Sequence, residues 1–135
     1  MGAGLVLNVI GISLAKRRKY SEAMSNFQQA LALRKGALGE AHVEVAETLH
    51  NMGNCAAKSN IWNEARTYYD EALRIKRKTL GSKSLSVAQT LHNIGNVMAS
   101  QGSNDLAMNN YEEALSTRRS ILGNDHVEVA FSLHW

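Results

Sequence analysis

The chain has 135 residues, 44% of them hydrophobic and 20% charged, with a net charge of +3. That length suits a single domain over 1–135, and that apolar share supports a packed core rather than a disordered chain. A pI of about 9.2 is only mildly basic, short of the dense positive field of a nucleic-acid binder, so no nucleic-acid partner is expected.

Proline is absent, which leaves helices free to run uninterrupted. The single cysteine, Cys55, excludes an intrachain disulfide and points to a reducing compartment, the cytoplasm. No run of about 18 apolar residues occurs, so no membrane span is expected.

In chain order, residues 1–16 read as a first helix. Its apolar stretch, Met1 to Ala15, lacks the basic n-region of a signal peptide, because Lys16 to Lys19 follow it instead. Gly2 does not make a myristoylation site, since Val6 stands where Ser or Thr is required. From there a period of 42 residues governs the chain. Leu7, Leu49, Leu91 and Leu133 keep it, as do Gly11, Gly53 and Gly95. Ala23, Ala65 and Ala107 follow, then Phe27, Tyr69 and Tyr111. The pairs Leu38-Gly39, Leu80-Gly81 and Leu122-Gly123 close each unit.

Each unit reads as two helices. In the second, helix A runs from about His42 to Lys58, with Val45, Leu49, Met52 and Ala56 at steps of three and four. Helix B runs from about Trp62 to Thr79 on Ala65, Tyr69, Ala72 and Leu73, with Lys76 a polar exception to the apolar stripe. The short connection near Ser59-Asn60 makes the two helices antiparallel neighbours. Gly81 stands where a left-handed C-cap belongs, and His42 and His126 stand where helix A is capped at its start.

A mid-helix glycine costs about 1 kcal/mol relative to alanine, so its recurrence needs a reason. Close helix approach against Ala23, Ala65 and Ala107 supplies one, with Phe27, Tyr69 and Tyr111 filling the space between adjacent hairpins. One hairpin cannot bury its own stripe, whereas stacked hairpins can. The fold expected is an all-α, right-handed superhelical solenoid of antiparallel helix hairpins. Its units lie at about 1–39, 40–81 and 82–123, with a half unit at 124–135.

Leu91, Ile94-Gly95, Met98, Ala107, Tyr111 and Ala114 together resemble the tetratricopeptide repeat signature. The 42-residue period and the segments Thr48–Asn54 and Thr90–Asn96 resemble the long repeats of kinesin light chains and nephrocystin-type proteins. The chain departs from that pattern where Val43, Leu85 and Val127 replace a frequent proline, and where Ser84 replaces a histidine. The resemblance implies a protein-interaction scaffold whose concave wall is built mostly from A helices and holds a peptide segment of a partner. It implies peptide contact through asparagines at the matching place, here Asn51 and Asn93.

Helical spacing fills in the rest of that wall. Glu47, His50, Asn51 and Asn54 share one face of helix A, and Gln89, His92, Asn93 and Asn96 repeat the arrangement one unit on. Asparagine amides both donate and accept, so a row of them can bond an extended main chain without demanding a sequence. The competing reading is a solvated polar face.

No catalytic constellation is visible, and no cofactor or metal is expected. His50, His92 and His134 recur one per layer. Helix axes lie about 8–10 Å apart, so these rings cannot converge on one zinc ion. Cys55 lacks a visible base partner, and no P-loop, serine elbow or dinucleotide glycine motif is present. The basic pairs Arg34-Lys35, Lys76-Arg77 and Arg118-Arg119 are expected to form a positive stripe near helix B C-termini, serving the helix dipole and solubility, with docking of an acidic partner as the alternative.

The two ends support a second reading. The groove positions of the first helix carry Leu5, Asn8, Val9 and Ile12, three of them apolar, and Phe131, Leu133 and Trp135 crowd the last. Such apolar ends suit a structural subunit that self-associates as a homo-oligomer, packs into a larger complex, or belongs to a longer array.

Overall fold

The structure is a computed structural model, and it describes residues 2–122. Among these residues there are six helices: α1 (Gly2–Lys16), α2 (Tyr20–Leu38), α3 (Val43–Lys58), α4 (Trp62–Leu80), α5 (Leu85–Ser100) and α6 (Asn104–Leu122). The expected all-α helical repeat is therefore the fold, with α1, α3 and α5 as A helices and α2, α4 and α6 as B helices. The half unit at 124–135, with Phe131, Leu133, Trp135, His126 and His134, lies outside the described residues.

Local chemistry sets the helix ends. His42 is the N-cap of α3 rather than its first residue: its Nδ1 accepts from the Glu44 amide at 3.1 Å. Ser84 does the same for α5, accepting from the Ser86 amide at 3.1 Å. Each hairpin turn carries one left-handed residue at the repeat spacing, Arg18 (φ 62°), Asn60 (φ 63°) and Gly102 (φ 84°). The next amide then reaches back five residues to close the turn. Lys19 bonds the Leu14 carbonyl at 2.9 Å, Ile61 that of Ala56 at 2.8 Å, and Ser103 that of Met98 at 2.8 Å. Gly81 has φ 83° and bonds the Arg77 carbonyl at 3.1 Å, the left-handed stop expected there.

The chain forms two compact units divided after Ile75, within α4. In the first, α1 packs on α2 and α2 on α3. Phe27, Leu49, Met52, Val45 and Ile75 are each at most 2% exposed and form its core with Ala23, Ala46, Cys55 and Ala72. Each large apolar side chain so buried contributes about 1.5–3 kcal/mol. In the second unit α5 packs on α6, with Val87, Leu91, Ile94 and Val97 buried on α5 and Ala107 and Ala114 on α6.

Candidate functional site

The mid-helix glycines are seats for aromatic rings. A Cβ added to Gly11 would stand 2.5 Å from the Phe27 ring, and one on Gly53 or Gly95 2.7 Å from Tyr69 or Tyr111. Phe27 also fills space toward the adjacent hairpin, as expected, since it shares a core with Leu49, Met52 and Cys55 of α3. Each ring rests against helix A of its own hairpin at the point where the backbone lacks a side chain.

The seat brings each tyrosine hydroxyl to the asparagine that follows the glycine. Tyr69 Oη donates to Asn54 Oδ1, and Tyr111 Oη donates to Asn96 Oδ1 at 2.6 Å. A histidine borders each ring. His50 meets Tyr69 edge-on with centroids 5.4 Å apart, and His92 meets Tyr111 at 5.2 Å with a 48° tilt. Burial pushes both phenols up, with Cys55 adding to the effect on Tyr69. Both hydroxyls therefore remain protonated donors at neutral pH. Burial also pushes the Cys55 thiol up to about 11, which keeps it protonated and unreactive.

The residues foreseen for the groove thus divide. Glu47 and Gln89 are exposed, as are His92 and Asn96. His50 is only 8% exposed, and its ring borders that of Tyr69. Asn51 is half-buried, and its Nδ2 donates to Asn8 Oδ1 at 3.3 Å. Asn93 is half-buried too. In the first unit Asn51 and Asn54 line a cleft of about 460 Å³ with Ile12, Ala15 and Tyr20. In the second, His92 and Asn96 line one of about 420 Å³ with Met108, Tyr111, Leu115 and Arg118. Leu5 and Val9 stand 53% and 54% exposed on α1, whereas Ile12 is half-buried and belongs to the cleft wall.

The expected positive stripe is corrected, because the first member of two basic pairs turns inward. Arg34 is 4% exposed and donates to the Glu44 carbonyl at 2.8 Å and Thr48 Oγ1 at 3.0 Å. Lys76 is 3% exposed, with Nζ donating to Thr90 Oγ1 at 2.9 Å. Arg77 pairs with Glu113. A buried cation is held only where hydrogen bonds replace its water. The threonine one unit on, with the Glu44 carbonyl also serving Arg34, supplies them. The sequence signal was there: a cation inside an apolar stripe, 14 residues before a threonine in each case.

The desolvation that follows from partial burial pushes the His92 imidazole below its ordinary range, and nearby Arg118 adds to this. His92 is accordingly neutral at pH 7. Among the described residues no group of three His, Cys, Asp or Glu side chains is placed to hold a metal ion. No helix among them is long and apolar enough to cross a membrane.

Comparison with known proteins agrees with this architecture. A tetratricopeptide repeat family profile matches residues 3–78 and 62–120. No protein of curated function matches the sequence. Among solved structures, BtubC (BKLC) from P. vanneervenii superposes with a TM-score of 0.87 at 20% identity, over 97% of this chain and 52% of that one. A candidate kinesin light chain of Podosopora anserina, built of nearly identical TPR-like repeats, gives 0.80 at 18% identity over 96% and 61%. The N-terminal domain of stress-induced protein-1 (STI-1) from C. elegans gives 0.74 at 16% identity over 98% and 93%. This chain thus spans about half to three-fifths of the first two structures.

Proposed function

This chain belongs to the tetratricopeptide repeat family, whose members generally mediate protein–protein interaction and are generally non-catalytic, and from that premise we propose that it holds a peptide segment of a partner protein on the polar face of an A helix, that of α3 in the first unit or that of α5 in the second. One observation carries the reading. The same polar set recurs at the same turns of both helices, and in each unit it borders a cleft: Asn51 and Asn54 in the first, His92 and Asn96 in the second. Asparagine amides on a rigid helix present donors and acceptors to a main chain with little ordering on binding. Exposed Glu47 and Gln89 form the rim. A reducing compartment such as the cytoplasm suits the free, protonated Cys55.

The test uses peptides enriched from a displayed random library on the wild-type chain. Alanine at Asn51 and Asn93 together is expected to weaken their binding about tenfold or more with helicity unchanged. Equal affinity for the double variant would remove the groove from the account.

A second reading rests on α1. Leu5, Val6, Val9 and Ile10 are between 42% and 55% exposed, an apolar surface suited to self-association or to a larger complex. Sedimentation separates the two: dimers or larger species that Leu5→Glu with Val9→Glu dissolves support assembly, and a monomer at every concentration opposes it.

A further inference from the structure

The two tyrosine–asparagine pairs are not needed for packing, and the chain itself shows why. The first hairpin has the same glycine seat and the same ring position, occupied by Gly11 and Phe27. There the ring lacks a hydroxyl, and Ile12 stands where Asn54 and Asn96 stand in the later units. Phe27 is 1% exposed and half-buried Ile12 packs on the core, so an apolar pair is accommodated at this site. Hydroxyl and amide are present together or absent together. A polar pair retained where an apolar one packs well has a use beyond packing.

The geometry states that use. In both pairs the tyrosine proton occupies the amide oxygen. The amide is thereby oriented, and its Nδ2 is left with two N–H donors and no protein acceptor among the described residues. Each asparagine also borders a cleft. An oriented N–H pair selects for acceptors and against donors.

We infer that Tyr69 and Tyr111 are positioning residues for peptide recognition: by holding the amide oxygens of Asn54 and Asn96, they aim N–H donors at main-chain carbonyl oxygens of a segment bound in the cleft that each asparagine borders. This rests on the groove reading above and deepens it. Asn51 differs, because its Nδ2 already donates to Asn8. The oriented donors are therefore Asn54 in the first unit and Asn96 in the second, which the kinesin-light-chain resemblance does not single out.

The test uses library-enriched peptides, each synthesised with a free and an amidated C-terminus. Asn54→Asp and Asn96→Asp keep an oxygen for the tyrosine but remove both N–H donors. Each is expected to weaken binding about tenfold. Tyr69→Phe and Tyr111→Phe leave the asparagine in place but unaimed, with an expected loss of about threefold. In nitrogen-15 NMR spectra, the Asn54 and Asn96 side-chain amide signals of these Phe variants should move toward free-amide positions with helicity unchanged. That shift reports release of the amide, and a loss of peptide affinity with it at unchanged helicity is what a merely structural role would not produce. Amidation should leave affinity unchanged if internal carbonyls are the target.

The double variant Tyr69→Phe with Asn54→Ile rebuilds the Phe27–Ile12 pair. It should fold as the wild type does and lose the same affinity as Asn54→Asp, which guards against a folding artefact. Peptides that respond to alanine at Asn51 and Asn93 but not to these variants would overturn this inference alone, as would affinity lost on amidation. A library that enriches nothing would overturn it together with the groove reading.

Discussion

Gly53→Ala tests the ring seat directly. On helix propensity alone, the change should stabilise α3 by about 1 kcal/mol. The new Cβ, however, would stand 2.7 Å from Cδ1 and Cε1 of Tyr69 and 3.0 Å from Cζ. Favourable carbon contacts begin near 3.5 Å, so the ring must withdraw by about 1 Å. It has little room: Tyr69 is 2% exposed, His50 borders it, and its hydroxyl is tied to Asn54. Overpacking of this kind costs about 1–3 kcal/mol, and a lost hydroxyl bond adds about 1 kcal/mol. Against the propensity gain, a net loss of about 1–3 kcal/mol is expected.

Gly36→Ala is the matched control. Gly36 lies in α2 with nothing within 4 Å of an added Cβ, so the same change should stabilise by about 0.5–1 kcal/mol. Gly95→Ala should fall between them, because Tyr111 is only half-buried and can yield toward solvent. Urea unfolding followed by far-UV circular dichroism reads all three. If Gly53→Ala is as stabilising as Gly36→Ala, the ring does not rest on that backbone, and the account of the asparagine pairs fails with it.

Arg18 holds a left-handed conformation that glycine adopts at the equivalent Gly102, so Arg18→Gly should raise stability by about 1 kcal/mol in the same assay. Thr48→Val removes a partner from buried Arg34 and should cost about 1–3 kcal/mol. Adding Arg34→Met should recover much of that loss, since an apolar pair needs no solvation, and a non-additive double-mutant cycle is the expected signature. His92 has a folded-state pKa below its unfolded 6.5, so the unfolded chain binds more protons in that window. Stability should fall as pH drops below about 6.5, and His92→Gln should flatten that part of the pH profile of the urea midpoint.

Much of this protein was determined locally, and so was legible in order along the chain. Steps of three and four mark the helices, because side chains at those spacings share a face. His42 and Ser84 cap because a side-chain acceptor one residue outside the helix reaches its first amides. Gly81 stops α4 because it alone adopts φ 83° without strain. The 42-residue period likewise sets which positions must be equivalent.

What the period does not carry is the identity of each polar side chain's partner. Arg34 and Thr48 are 14 residues apart, Asn54 and Tyr69 15, Asn8 and Asn51 43. Only packing brings them within reach. Thus Lys76 read as an exception in an apolar stripe until Thr90 was seen to receive it. The place of the His50 ring beside Tyr69 is likewise set by packing. The orientation of the Asn54 and Asn96 amides lies furthest from the sequence. It depends on a ring descending onto a glycine in the neighbouring helix, and that contact exists only in the folded hairpin.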